Sequence, residues 1–213
     1  MSFRKELWAA GEASFDALLA HPVPVGICDG TLPKADLARL IRADIVHLGT
    51  FARAQALLAA RAPELADLSH FAGIAIGSSY SATGKSVAVL RMLGGKAGEP
   101  GETVDPAYDD FITAVAHTGT YADVVVATLP RMWFHAEFSK ELRRRGSPDR
   151  TYRKFIDTLL HDAYLPIVEA TLERADAVGA DAAPDERERL AALFARAAEF
   201  ELRLWDAGLP RTA

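Results

Sequence analysis

The chain has 213 residues, a length that suits one substantial hydrophobic core. Its 24 basic and 29 acidic side chains leave a net charge of −5, which argues against a general nucleic-acid binder, because that role needs a basic face to meet phosphates. Half the residues are apolar and a quarter are charged, which excludes a disordered chain.

Taken in chain order, the pattern is helical almost throughout. A first helix is predicted over 3–20, with Phe3, Leu7, Phe15, Leu18 and Leu19 on one side. The segment His21 to Thr31 has turn-density Pro and Gly and is expected to be an ordered loop. Thr31 with Pro33 reads as a helix start, and Leu37, Leu40, Ile41, Asp44, Leu48 and Phe51 follow helical spacing to about Ala62. Residues 64–93 read as helical at both ends, with a break expected within Gly77 to Gly84. A Gly-rich loop over 94–103 precedes Asp105-Pro106, a cap and first-turn proline for a helix over 106–117. The next helix is predicted over 120–145, bent at Pro130, and another over 150–178, kinked at Pro166. A last helix opens near Ala182 and closes at Gly208. No alternating strand pattern, internal repeat or linker is visible, so residues 1–213 are read as a single all-α bundle domain, whose usual ligand site is a core pocket.

Several chemistries are weakened by the residues themselves. Cys28, the only cysteine, can form neither an internal disulfide nor a cysteine-built zinc site, which suits a reducing compartment. Met1 to Trp8 lacks the apolar segment of a signal peptide, and no stretch reaches about 20 apolar residues. A cytoplasmic protein with no membrane partner is expected. Gly84-Lys85-Ser86 looks like the end of a phosphate-binding loop, but Ser79 stands where the motif needs Gly and no strand precedes it. Lys140 to Lys154 holds seven basic residues against two acidic ones and reads as a solvated helix end. Asp44/His47 and Asp157/His161 each share a helix face, yet none of the six histidines closes a Glu-x-x-His pair of the di-iron kind. No metal and no cofactor is assigned.

Polar groups on apolar stripes are more telling. Asp44 lies on the face carrying Leu37, Leu40, Ile41 and Leu48, and Glu201 lies on a similar stripe between Phe194 and Trp205. A carboxylate buried there must pair with a cation or meet a ligand. Arg131 and His135, four residues apart after Pro130, project together. The residues alone favour a structural ion pair or a solvated face over a ligand site.

Taken together, several blocks resemble the thiaminase II (TenA) family. His21-Pro-Val-Pro-Val-Gly-Ile-Cys-Asp-Gly-Thr-Leu-Pro33, followed by the Asp44 helix and Phe51-Ala-Arg-Ala-Gln55, is similar to its opening. Pro106-Ala-Tyr-Asp-Asp-Phe111, Tyr121 to Pro130 with Trp133 and Glu137, and Glu201-Leu-Arg-Leu-Trp-Asp206 follow in the family's order, covering about 5–208. The resemblance implies a haem-oxygenase-like helical bundle, a central pocket for a small heterocyclic ligand, and a homodimer or homotetramer. It implies hydrolysis of an aminomethylpyrimidine or of thiamine in thiamine salvage. Asp44 falls on the aspartate that grips the aminopyrimidine, Tyr108 on a pocket tyrosine, and Glu201 on the acid–base glutamate.

The departures fall inside that pattern. Arg131 stands at the place of the nucleophilic cysteine, His135 and His47 replace aromatics, and Leu159 replaces a tyrosine. A guanidinium stays protonated and cannot be the nucleophile. Three functions follow: a hydrolase of a pyrimidine-like heterocycle with altered substrate or mechanism, a non-catalytic ligand-binding or regulatory homologue, and another enzyme of the fold with oxidative, quinone-cofactor-synthesis-like chemistry. The expected site is Glu201 as catalytic residue, with Asp44, His47, Tyr108, Arg131 and His135 binding the ligand around one shared cavity.

Overall fold

A computed structural model describes residues 2–95, 106–161 and 163–209. Among these every regular element is helical: α1 (Phe3–Ala20), α2 (Pro22–Asp29), α3 (Lys34–Ala60), α4 (Leu65–Tyr80), a π-turn (Ser81–Lys85), α5 (Ser86–Met92), α6 (Ala107–Thr118), α7 (Tyr121–Arg145), α8 (Arg150–Leu159), α9 (Tyr164–Asp181), α10 (Pro184–Leu204) and a closing 3-10 turn (Trp205–Gly208). None of them is long and apolar enough to cross a membrane.

The bundle is organised around α7. Every residue from Asp123 to Pro130 is buried, so this stretch is covered on all sides, as its run of Val, Ala and Leu requires. Helices α9 and α10 pack on it, α3 packs on α4 and α6, and α1 lies along α10. A capping box starts α7: Asp123 N–H donates to the Thr120 hydroxyl (3.2 Å) and Thr120 N–H donates to Asp123 (2.8 Å). Inside, the Thr128 hydroxyl donates to the Val124 carbonyl at 2.8 Å, which satisfies a polar group that water cannot reach. Gly11 lets α1 approach closely, since a Cβ there would lie 2.6 Å from the Phe194 ring.

Three sequence expectations need correction. The segment after His21 is the helix α2, not a loop. Pro22 and Pro24 both fall in its first turn, where backbone N–H groups have no intrahelical partner to lose. The His21 ring caps the start by accepting from Val23 N–H (3.2 Å), and Gly30, at φ +76°, ends the helix in the left-handed conformation. The break expected within 77–84 is a continuous helical path that widens into the π-turn. The single helix expected over 150–178 is two, because Leu160 is extended, and Pro166 sits in the first turn of α9, where it causes no kink. Pro130 lies within the continuous helix α7. Residues 96–103 of the expected Gly-rich loop, and the Asp105 cap, lie outside the described residues.

Candidate active site

The site is built where α3, α7 and α10 converge. Asp44 comes from α3, Arg131 from α7 one residue beyond Pro130, and Glu201 from α10. Arg131 Nη2 donates to Asp44 Oδ1 at 2.5 Å and Nη1 donates to Glu201 Oε1 at 2.9 Å. Glu201 is 2% exposed, so its charge is compensated inside the protein rather than by water. The Tyr108 hydroxyl donates to its other oxygen, Oε2, at 3.2 Å. One guanidinium therefore serves two carboxylates. Although burial works against the charge, the two acids hold the Arg131 pKa above its ordinary value, so it is a fixed cation. Burial and the neighbouring Glu201 push the Tyr108 phenol well above its usual range, and it stays a hydrogen-bond donor.

Behind Arg131 lies an aromatic stack. The His47 ring lies 4.0 Å from Tyr108 at 21°, and Tyr108 in turn stacks on Phe200 at 5.6 Å and 7°. His47 is 1% exposed, and its Nδ1 is 2.8 Å from Asp109 Oδ1. The helical pairing of Asp44 with His47 is thus split: Asp44 turns to Arg131, and His47 to Asp109.

In front of Arg131 a cavity of about 330 Å³ opens between α3, α4, the π-turn, α7, α8 and α9. Asp44, Arg131 and His135 line it, whereas Glu201, Tyr108 and His47 are not among its lining residues. Arg131 is the partition between the two groups. His135 Nε2 lies 2.9 Å from the Leu159 carbonyl, one of the α8 end carbonyls left without an intrahelical partner, so Nε2 carries the hydrogen and donates. Burial, and then the Arg131 charge, lower the His135 pKa to about 4, so the ring is neutral at physiological pH. The remaining walls are mostly apolar, including Leu48, Phe51, Ile74, Val89, Met132 and Phe155. Cys28 lies elsewhere, half-buried in α2, with its thiol pKa raised by burial.

Sequence reasoning missed Tyr164, His161 and Lys85, all of which line the cavity. Tyr164 reaches it from the start of α9, its hydroxyl 3.4 Å from the Met132 carbonyl. Lys85 was set aside with the incomplete phosphate-loop motif; its helical register from Ile74 and Ser78 was the signal that could have found it.

Residues 8–210 match the TENA/THI-4/PQQC family. This chain belongs to that family. The aminopyrimidine aminohydrolase of Halalkalibacterium halodurans is 25% identical over 213 residues, covering 97% of this chain and 95% of the relative. The aminopyrimidine aminohydrolase of Bacillus subtilis is 26% identical, covering 96% and 89%. The thiamine biosynthesis multifunctional protein ThiED of Corynebacterium efficiens is 26% identical over 205 residues, and the chain spans only 28% of its length. Among solved structures, a TenA homologue from Pyrococcus furiosus superposes with a TM-score of 0.87 at 21% identity, covering 97% of this chain and all of the other. The bundle is therefore the all-α, haem-oxygenase-like fold of TenA proteins.

Proposed function

We propose that this TenA-family chain binds a pyrimidine-like heterocycle of thiamine salvage in the central cavity and has lost the cysteine-dependent hydrolysis. The observation that carries the reading is the Arg131 bridge between Asp44 and Glu201, at the place of the family's nucleophile. A permanently protonated guanidinium cannot attack a ring carbon. Asp44 still lines the cavity, and its Oδ2 makes no hydrogen bond among the described residues, so it is available to an exocyclic amine. The flat apolar walls supply the burial a ring needs. Relatives named aminopyrimidine aminohydrolases support the ligand class.

A second reading, hydrolysis of an altered substrate by water, is favoured by one feature. Glu201 is held by Tyr108 as well as Arg131, the kind of positioning a proton carrier needs. Turnover of thiamine and of aminomethylpyrimidine, measured beside calorimetric binding of both, separates the two readings. Binding with no turnover supports the first. Turnover that Glu201→Gln abolishes supports the second, and no binding of either compound or of their phosphate and carboxylate analogues overturns the first.

We also propose that the chain assembles with copies of itself, at least as a homodimer, and works without a cofactor or metal. The outer face of α4 supports assembly, because it carries an exposed apolar stripe (Leu65, Leu68, Ile76 and Tyr80).

A further inference from the structure

The deep end of the cavity keeps an acceptor for the ring amine, Asp44 Oδ2, but no free cation for an acidic substituent, because Arg131 is spent on Asp44 and Glu201. Asp44 is the only acid among its described lining residues, and it is already held by Arg131. His135 spends its Nε2–H on Leu159, and the Tyr164 hydroxyl faces the Met132 carbonyl. The mouth is different. Lys85 and His161 both line the cavity and both are exposed, which places them at its solvent-facing rim on opposite elements, the π-turn and the α8–α9 connection. Among the described residues Lys85 has no hydrogen-bond or ion-pair partner. His161 Nδ1 accepts from Ala163 N–H at 3.2 Å, so its Nε2 carries the hydrogen and is a donor. Ser81, from the same turn as Lys85, adds a hydroxyl to the lining, and Ser86, the buried first residue of α5, adds another further in. A π-turn inside a helix is a frequent mark of a functional position. The rim thus offers an ammonium, an imidazole N–H and a hydroxyl, and among the described lining residues the one carboxylate is Asp44, which Arg131 already holds.

We propose that Lys85 is a specificity residue that anchors a carboxylate or phosphate substituent of the ligand at the cavity mouth. The ring then lies inward, its amine toward Asp44 and its acidic substituent toward Lys85. The volume of about 330 Å³ accommodates a small ring with one such substituent. Partial burial and the nearby Arg131 charge lower the pKa of this otherwise exposed lysine, the Asp44 charge opposes them, and a bound anion would add counter-charge beside the ammonium. The inference rests on the heterocycle reading above and names the ligand's second chemical handle.

The test is calorimetric titration of the purified chain with three probes: a hydroxymethyl aminopyrimidine, its phosphate ester and its carboxylate analogue. At low ionic strength at least one acidic probe is expected to bind about ten-fold or more tightly than the alcohol, with the advantage falling as salt is added. Lys85→Met is expected to bring that ratio near one, and Lys85→Arg to keep most of it. Preference for the ester alone identifies phosphate, and preference for the carboxylate alone identifies a carboxylic acid; either supports the proposal. Equal binding of all three probes by the unaltered chain, or a preference that survives Lys85→Met, overturns it and leaves the heterocycle reading standing. Binding of none of the three overturns the heterocycle reading and this inference with it.

Discussion

Arg131 Nη1 and Glu201 Oε1 lie 2.9 Å apart between two helices, α7 and α10, in a part of the core where Glu201 is almost wholly buried. A carboxylate placed there without its cation is costly, because the Coulomb attraction that offsets desolvation disappears while the desolvation remains. Arg131→Ala removes the cation from both Asp44 and Glu201 at once. It is expected to lower stability by about 3 kcal/mol or more. Arg131→Ala combined with Glu201→Gln is expected to be more stable than the single change, since a neutral amide no longer needs the charge. Urea denaturation of the three proteins checks this. A double variant no more stable than Arg131→Ala would show that Glu201 does not depend on its partner.

The proposed function makes the same pair decisive for chemistry. Loss of a covalent nucleophile lowers turnover by orders of magnitude; in subtilisin, removing the serine costs about 10⁶. Hydrolysis of thiamine and aminomethylpyrimidine by the unaltered chain is therefore expected to fall at least a thousand-fold below that of a cysteine-bearing family member. If Asp44 meets the ring amine as proposed, Asp44→Asn is expected to abolish heterocycle binding, because the amide lacks the negative charge. Direct turnover assays and calorimetry check the two halves separately. Rates comparable to the cysteine-bearing protein would show that another group attacks the ring.

How far all this could be read from the sequence depends on what each residue needed to know. Helices α1, α3, α6, α7 and α10 announce themselves through local spacing and caps, and their limits fall within a few residues of expectation. Helix α2 does not, because two prolines read as turn signals unless their place in the first turn is known. Asp44 and Glu201 stood out as acids on apolar stripes, but that one arginine bridges them is a property of how α3, α7 and α10 pack. The partner of His47 was likewise hidden, since Asp109 is 62 positions away. Lys85 shares a helical register with Ile74 and Ser78, but the register alone does not say that this face meets a cavity. The path of the π-turn carries it there.

Stability is expected to depend on pH through two histidines. His135 and His70 both have pKa values lowered to about 4, chiefly by burial and further by Arg131 and Arg174 respectively, against an ordinary 6.5. Between these limits the unfolded chain binds protons that the folded chain does not, so stability rises with pH across roughly 4 to 6.5 and levels off above. Urea midpoints are expected to fall as pH drops from neutral to 5. In His135→Gln, which keeps a donor without a titrating ring, that fall is expected to shrink. An unchanged slope would mean that His135 titrates normally in the folded protein.

Close helix approach supplies a purely structural prediction. At Gly11 a Cβ would sit 2.6 Å from the Phe194 ring and 3.2 Å from the Phe134 ring, both fully buried. Rings packed that deeply have little room to yield. Although alanine is the better helix former, Gly11→Ala is expected to cost about 1–3 kcal/mol through overpacking. A thermal melt checks the sign, and a rise in Tm would show that α1 can move away from α10 cheaply.

The last prediction concerns assembly. Leu65, Leu68, Ile76 and Tyr80 project from one face of α4 at spacings of three, eight and four residues, and they are 80%, 41%, 59% and 74% exposed. Large side chains in such a row gain little by facing water, and about 25 cal/mol for each Å² of apolar surface favours covering them. A second copy meeting this row with its own row would form a two-fold interface. The opposite side of this helix lines the cavity through Gly73, Ile74, Gly77 and Ser78, so an interface on the outer face would also hold that wall in place. Light scattering at micromolar concentration is therefore expected to give twice the monomer mass or more. Ile76→Glu, which puts a charge at the centre of the row, is expected to yield monomers and to weaken heterocycle binding. A monomeric unaltered chain would reject assembly altogether. An oligomer indifferent to Ile76→Glu would place the interface on another face.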